Sequence, residues 1–73
     1  MPENILRKVD GPFVAQALQT LPSAESSRED FAETEIDVPV LGRVHFKCQR
    51  MTTRQGKNRF RFWSAIEAFQ VTR

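Results

Sequence analysis

The sequence predicts an α+β domain in which one N-terminal helix packs on a three-stranded antiparallel β-meander. Three observations predict it. Apolar residues recur at helical spacing between positions 13 and 21, then with a period of two after position 31. Turn signals at 40–42 and 54–56 cut the period-two region into three runs. Pro22 and a polar stretch separate the helical part from the β part. A chain of 73 residues makes one small domain, able to bury roughly 60% of its unfolded surface.

Residues 1–9 precede the first helix signal and read as a mobile N-terminal segment, with Ile5, Leu6 and Val9 as apolar anchors beside Arg7 and Lys8. Asp10-Gly11-Pro12 opens the helix: Asp10 can accept backbone N–H bonds, and Pro12 is pre-set for the first turn. Phe13, Val14, Ala17, Leu18 and Leu21 form one helical face, and Pro22 ends it. PSAESSRED, residues 22–30, is polar and aperiodic, a flexible linker inside the single domain that spans residues 10–73.

The first strand points Ala32, Thr34, Ile36, Val38 and Val40 one way and Glu33, Glu35 and Asp37 the other. The second puts Val44, Phe46 and Cys48 inward, with Arg43, His45, Lys47 and Gln49 outward. The third puts Phe60, Phe62, Ser64 and Ile66 inward, with Arg59, Arg61 and Trp63 outward. A three-residue loop Arg54-Gln55-Gly56 pairs Arg50 with Phe60, Cys48 with Phe62, Phe46 with Ser64 and Val44 with Ile66. A short loop at 40–42 pairs Val38 with Val44 and Ile36 with Phe46. A slip by one residue would expose each apolar set, so this register is the expected one. Ser64-Ala65-Ile66-Glu67 also matches a capping box, which leaves a short C-terminal helix as the alternative for the last ten residues.

Charge is split along the chain. Residues 1–42 hold three cations against eight acids, and residues 43–73 hold eight cations against Glu67 alone. A basic half of this kind seeks nucleic acid or an acidic protein surface. In the expected register the outer row Glu35, Lys47, Trp63 makes a salt bridge and a cation–π contact, and Gln49 lies between Arg61 and Glu33. Arg50, Arg54, Lys57 and Arg59 gather at the hairpin tip beyond the acids of the first strand and form the main candidate binding site. Lys47, Arg61 and Trp63 adjoin them, and Ile5, Leu6, Arg7 and Lys8 make a second candidate surface.

Nothing in the sequence suggests catalysis. Nucleophile motifs, phosphate-cradling glycine loops and paired carboxylates are absent, so the chain is read as a non-enzyme without cofactor. His45 has no second His and no acid at metal-ligand spacing and reads as a surface residue; Cys48 reads as inert core. One cysteine and no membrane-length apolar run point to a reducing, cytoplasmic setting and no membrane partner. The start MPENILRKVDG lacks the basic-then-apolar layout of a signal peptide. The acids and Pro39 of the outer strand argue for a monomer.

Three resemblances bear on function. Lys57-Asn58-Arg59-Phe60-Arg61-Phe62 is similar to the RNP1 strand of RNA recognition motifs, although Asn58 stands where that pattern has Gly and the period puts both Phe inward. With a helical tail, the element order resembles double-stranded-RNA-binding domains, although Ser64-Ala65-Ile66-Glu67 replaces their lysine-rich helix start. In size, split charge and lack of enzyme motifs the chain resembles the small transcription regulators of lytic phages such as those of Xanthomonas. That resemblance implies binding to host RNA polymerase, with inhibition of initiation or suppression of termination. The residues alone support a second reading, a single-stranded nucleic-acid-binding module with Trp63 as stacking platform and the hairpin cations on phosphates.

Overall fold

The structure is a computed structural model that describes residues 3–71. A single 3-10 turn, Leu6–Lys8, leads into helix α1, Gly11–Gln19; strands β1, Phe31–Val38, β2, Gly42–Gln55, and β3, Asn58–Gln70, follow. The sheet is antiparallel in the order β1-β2-β3. No helix among the described residues is long and apolar enough to cross a membrane.

Helix α1 starts at the expected place. The Asp10 carbonyl accepts the N–H groups of Phe13 and Val14, and Pro12 sits in the first turn, but the Asp10 side chain makes no cap. The helix stops at Thr20, whose hydroxyl bonds the Ala17 carbonyl and lies 2.5 Å from the Thr34 hydroxyl on β1. Ala17 is fully buried, so a small side chain lets the helix approach the sheet.

Sequence periodicity leaves residues 1–9 detached; in the structure residues 3–9 are docked. Ile5 and Val9 are buried. Ile5 N–H donates to the Ala68 carbonyl at 2.7 Å, and the Asn4 Oδ1 accepts from both Leu6 N–H and Ala68 N–H at 3.1 Å. The segment therefore covers part of the outer edge of β3, satisfying backbone groups that an edge strand leaves open. Met1 and Pro2 lie outside the described residues, as do Thr72 and Arg73. The stretch 22–30 is likewise held in place: Ala24 is buried, Glu25 accepts from Arg61 N–H at 2.6 Å, and the Pro22 carbonyl accepts from the Trp63 indole at 2.7 Å.

Both expected registers are corrected. Between β1 and β2, Ile36 pairs with Val44 and Thr34 with Phe46, because the turn centres on Val40 instead of Leu41. This shift of two leaves each side chain on its expected face. Between β2 and β3 the turn is Gly56-Lys57, with Gln55 opposite Asn58 and Gly56 at φ 61°. Glycine with positive φ at the first of two turn residues is the type II′ arrangement that matches strand twist. The resulting shift of three is odd, so it turns over every residue of the near part of β3. Trp63 is buried, and Phe60 and Phe62 are exposed.

A bulge then resets the phase. Lys47 pairs with Glu67 and Cys48 with Ala65, which leaves Ile66 as the extra residue on β3. Ala65 and Ala68 thereby both fall on the core face, beside Cys48 and Phe46. The C-terminal stretch continues as strand to Gln70, so the helix alternative does not form there. The core comprises Ile5, Val9, Ala17, Ala24, Ile36, Val38, Val44, Phe46, Cys48, Trp63 and Ala68.

Candidate functional site

Strand β1 ends at Phe31 opposite Gln49, whereas β2 runs on to Gln55 and β3 returns from Asn58. Six residues of each strand therefore project as a two-stranded arm about 20 Å long. The molecule measures 45 × 21 × 21 Å, consistent with such a projection.

Strand parity gives the arm two unlike faces. On the face continuous with the core stand Arg50, Thr52 and Arg54 of β2 and Arg59, Arg61 and Trp63 of β3. Arg54 lies directly opposite Arg59, a like-charge pairing that weakens a sheet. On the other face Met51 opposes Phe62 and Thr53 opposes Phe60. Met51, Phe60 and Phe62 are exposed to 40%, 46% and 45%, large values for residues that could have packed inward. Phe31, 51% exposed at the end of β1, extends this apolar strip, and the Lys47 Nζ sits 5.7 Å from its ring centroid.

The candidate cations separate into two groups. Arg50 serves the fold: its guanidinium bonds the Asp30 carboxylate at 3.1 Å and the Ser27 carbonyl, and its N–H donates to the Asp30 carbonyl. Arg54, Lys57, Arg59 and Arg61 take part in no ion pair among the described residues. No acid occurs between residues 43 and 66. Toward the root of the arm the Asp30 carboxylate meets the Arg50 guanidinium and the Glu25 carboxylate accepts from the backbone N–H of Arg61. Lys47 stands between Glu33 and Glu67 in the ladder, with its Nζ over the Phe31 ring.

Trp63 leaves the candidate surface altogether. The residue is 8% exposed and its indole N–H is used by the Pro22 carbonyl, so it cannot stack on a ligand, and the expected row Glu35, Lys47, Trp63 is replaced by Glu33, Lys47, Glu67. Ile5 is in the core, Leu6 is half-buried, Arg7 is exposed and Lys8 pairs with Glu3 at 3.4 Å. That segment meets β3 at Ala68, nine residues from Arg59 and so about 30 Å along the strand. The structure does not bring it to the arm.

The other side of the sheet base holds a charged ladder. His45 has Nδ1 3.2 Å from Glu35 and Nε2 3.2 Å from Glu33, while Arg43 reaches Glu35 at 3.2 Å and Asp37 at 3.4 Å. Burial alone would lower the His45 pKa; the hydrogen bonds to Glu35 and Glu33, with their charges, outweigh it and raise the pKa above the usual histidine value. Both ring nitrogens act as donors in that state. Burial pushes the Cys48 thiol up, away from the thiolate form. No cluster of three metal-ligating side chains occurs among the described residues.

Phe60 and Phe62 are the surface residues that periodicity misses, and Met51, outward by the alternation of β2, stands beside them. The sequence signal for them is the Gly56-Lys57 pair: glycine followed by one residue, not glycine ending a three-residue loop, reverses the parity of everything from Asn58 to Ala65. No protein-family model, curated protein or solved structure matches the chain.

Proposed function

We propose that this chain is a non-enzymatic nucleic-acid-binding module and that the β2–β3 arm is its contacting element. The observation that carries the reading is the set Arg54, Lys57, Arg59 and Arg61. These four cations stand on a projecting ribbon, take part in no ion pair among the described residues, and include the unfavourable cross-strand pair Arg54–Arg59. A like-charge pair costs the fold something and gains it nothing, which is understandable if a polyanion neutralises it.

The test is binding of a labelled oligonucleotide followed by anisotropy across a salt series. Four phosphate contacts to a single strand correspond to a slope of log K against log salt of about −2.8, and Arg54→Ala, Lys57→Ala and Arg59→Ala together should reduce it to about −0.7. A slope unchanged in the triple variant, with its circular dichroism intact, refutes the assignment.

One observation favours a second reading, in which the arm docks on host RNA polymerase and alters initiation or termination. The outer face of the arm, Met51, Thr53, Phe60 and Phe62, is uncharged and mostly apolar in the manner of the centre of a protein interface. On that reading, tagged protein retains RNA polymerase from a host lysate after nuclease treatment, and the variant Phe60→Leu, Phe62→Leu loses it.

A further inference from the structure

We infer that the arm's outer face is a stacking platform for unpaired bases, with Phe60 and Phe62 as its two stacking rings. The inference rests on the nucleic-acid reading above and deepens it by naming single strands as the ligand class. Its basis is the parity reversal at the Gly56-Lys57 turn, which exposes two phenylalanines that periodicity assigns to the core.

Geometry favours an unstacked strand. Phe60 and Phe62 project from the same face two residues apart, hence about 6.6 Å apart along β3. Successive bases in a duplex strand rise by about half of that, 3.4 Å. Bases inside a duplex have both faces covered by their neighbours, so one strand can stack on both rings only when its own bases are pulled apart, which a duplex resists and a single strand permits. Met51, directly across from Phe62, supplies a polarisable neighbour on the same face.

Charge completes the arrangement. Arg59 and Arg61 alternate with Phe60 and Phe62 on β3, which is an edge strand, and Lys57 stands in the adjoining turn. A ribbon two strands wide is about 10 Å across, so long side chains rooted on one face lie within reach of a backbone that runs along the edge. Aromatic rings beside a cationic track are the combination that holds single strands without regard to sequence. Glu25, on the Arg61 N–H, places a negative charge at the root of the arm and sets the end of the track there.

A second copy of the chain is a poorer occupant. Phe31, Met51, Phe60 and Phe62 are each about half exposed, which leaves roughly 400 Å² of apolar side chain, against about 800 Å² per partner in a stable interface.

The experiment compares wild type with the double variant Phe60→Leu, Phe62→Leu, which keeps apolar bulk and removes the π faces. Each binds a labelled thymidine single strand of about twelve nucleotides, within the range one small module covers, and a duplex of equal length. Wild type should prefer the single strand, and the double variant should lose at least about tenfold on it while keeping its duplex affinity and salt slope. A double variant that binds the single strand as wild type does would overturn the platform while leaving the nucleic-acid reading standing. The same holds if it loses only capture of RNA polymerase, since the face would then be a protein contact. Absence of salt-dependent binding to either oligonucleotide by wild type would remove both.

Discussion

Replacing Trp63 with Phe should cost about 2 kcal/mol of folding stability, whereas replacing Phe60 or Phe62 with Leu should cost about 0.5 kcal/mol or less. The first figure has two parts. The smaller ring leaves a gap in a site 8% exposed, worth about 1 kcal/mol or somewhat more for a substitution short of full truncation. Loss of the indole N–H leaves the Pro22 carbonyl without its 2.7 Å partner, about another 1 kcal/mol. For a domain of this size the sum lowers the melting temperature by roughly 10 °C. Phe60 and Phe62 are nearly half exposed, and leucine keeps most of what they bury. Urea unfolding followed by far-ultraviolet circular dichroism measures all three variants with one probe. If Phe62→Leu proved more damaging than Trp63→Phe, the three-residue shift between β2 and β3 would be wrong, and the binding face argued from it would be wrong too.

Other expectations concern the body of the domain. His45 has a folded-state pKa above its unfolded value, so its stabilising contribution is fully present below about pH 6.5 and is lost as pH rises through the raised value. Urea midpoints measured from pH 6 to 8.5 should fall in wild type and fall less in His45→Gln; identical slopes would dismiss the Glu33–His45–Glu35 clamp as a linkage site. Val40 is fully exposed with φ 72°, a conformation a β-branched side chain adopts only under strain, so Val40→Gly should stabilise by about 1 kcal/mol in thermal unfolding. A lower melting temperature would contradict it. Asn4→Ala removes the acceptor shared by Leu6 N–H and Ala68 N–H and should cost about 1–2 kcal/mol, with faster hydrogen exchange at Ala68; unchanged protection at that amide would mean the segment does not hold the β3 edge.

Particular residues explain what could and could not be read from the sequence. Helix α1 was legible because Asp10, Pro12 and Pro22 bracket an apolar face, and the three strands because Val44, Phe46 and Cys48 alternate cleanly with polar residues. The faces of β3 were not. Positions 59–62 alternate Arg with Phe, so either parity gives one apolar side, and Gly56 suits the end of a three-residue loop as well as the start of a two-residue one. What decides is non-local: Trp63 finds the Pro22 carbonyl, and the bulge at Ile66 lets Ala65 and Ala68 share the core side. The docking of residues 3–9 was hidden for a similar reason, since one Asn side chain capping a strand edge has no periodicity. Of the cation cluster, Arg54, Lys57 and Arg59 were correctly placed together at the hairpin tip, while Arg50 was not separable from them until Asp30 and Ser27 came into contact with it.

Among the described residues no third strand pairs with the arm, and a two-stranded ribbon alone in water is only marginally stable. Its ladder should therefore open far more often than the three-stranded body, as a separate cooperative unit. If the arm is the contacting element proposed above, its ligand would close that opening, and part of the intrinsic affinity would go into ordering Met51 to Phe62. Affinity would thus be adjustable from the turn: changes at Gly56 or Lys57 that favour the closed ribbon would tighten binding while leaving the melting of the body where it was.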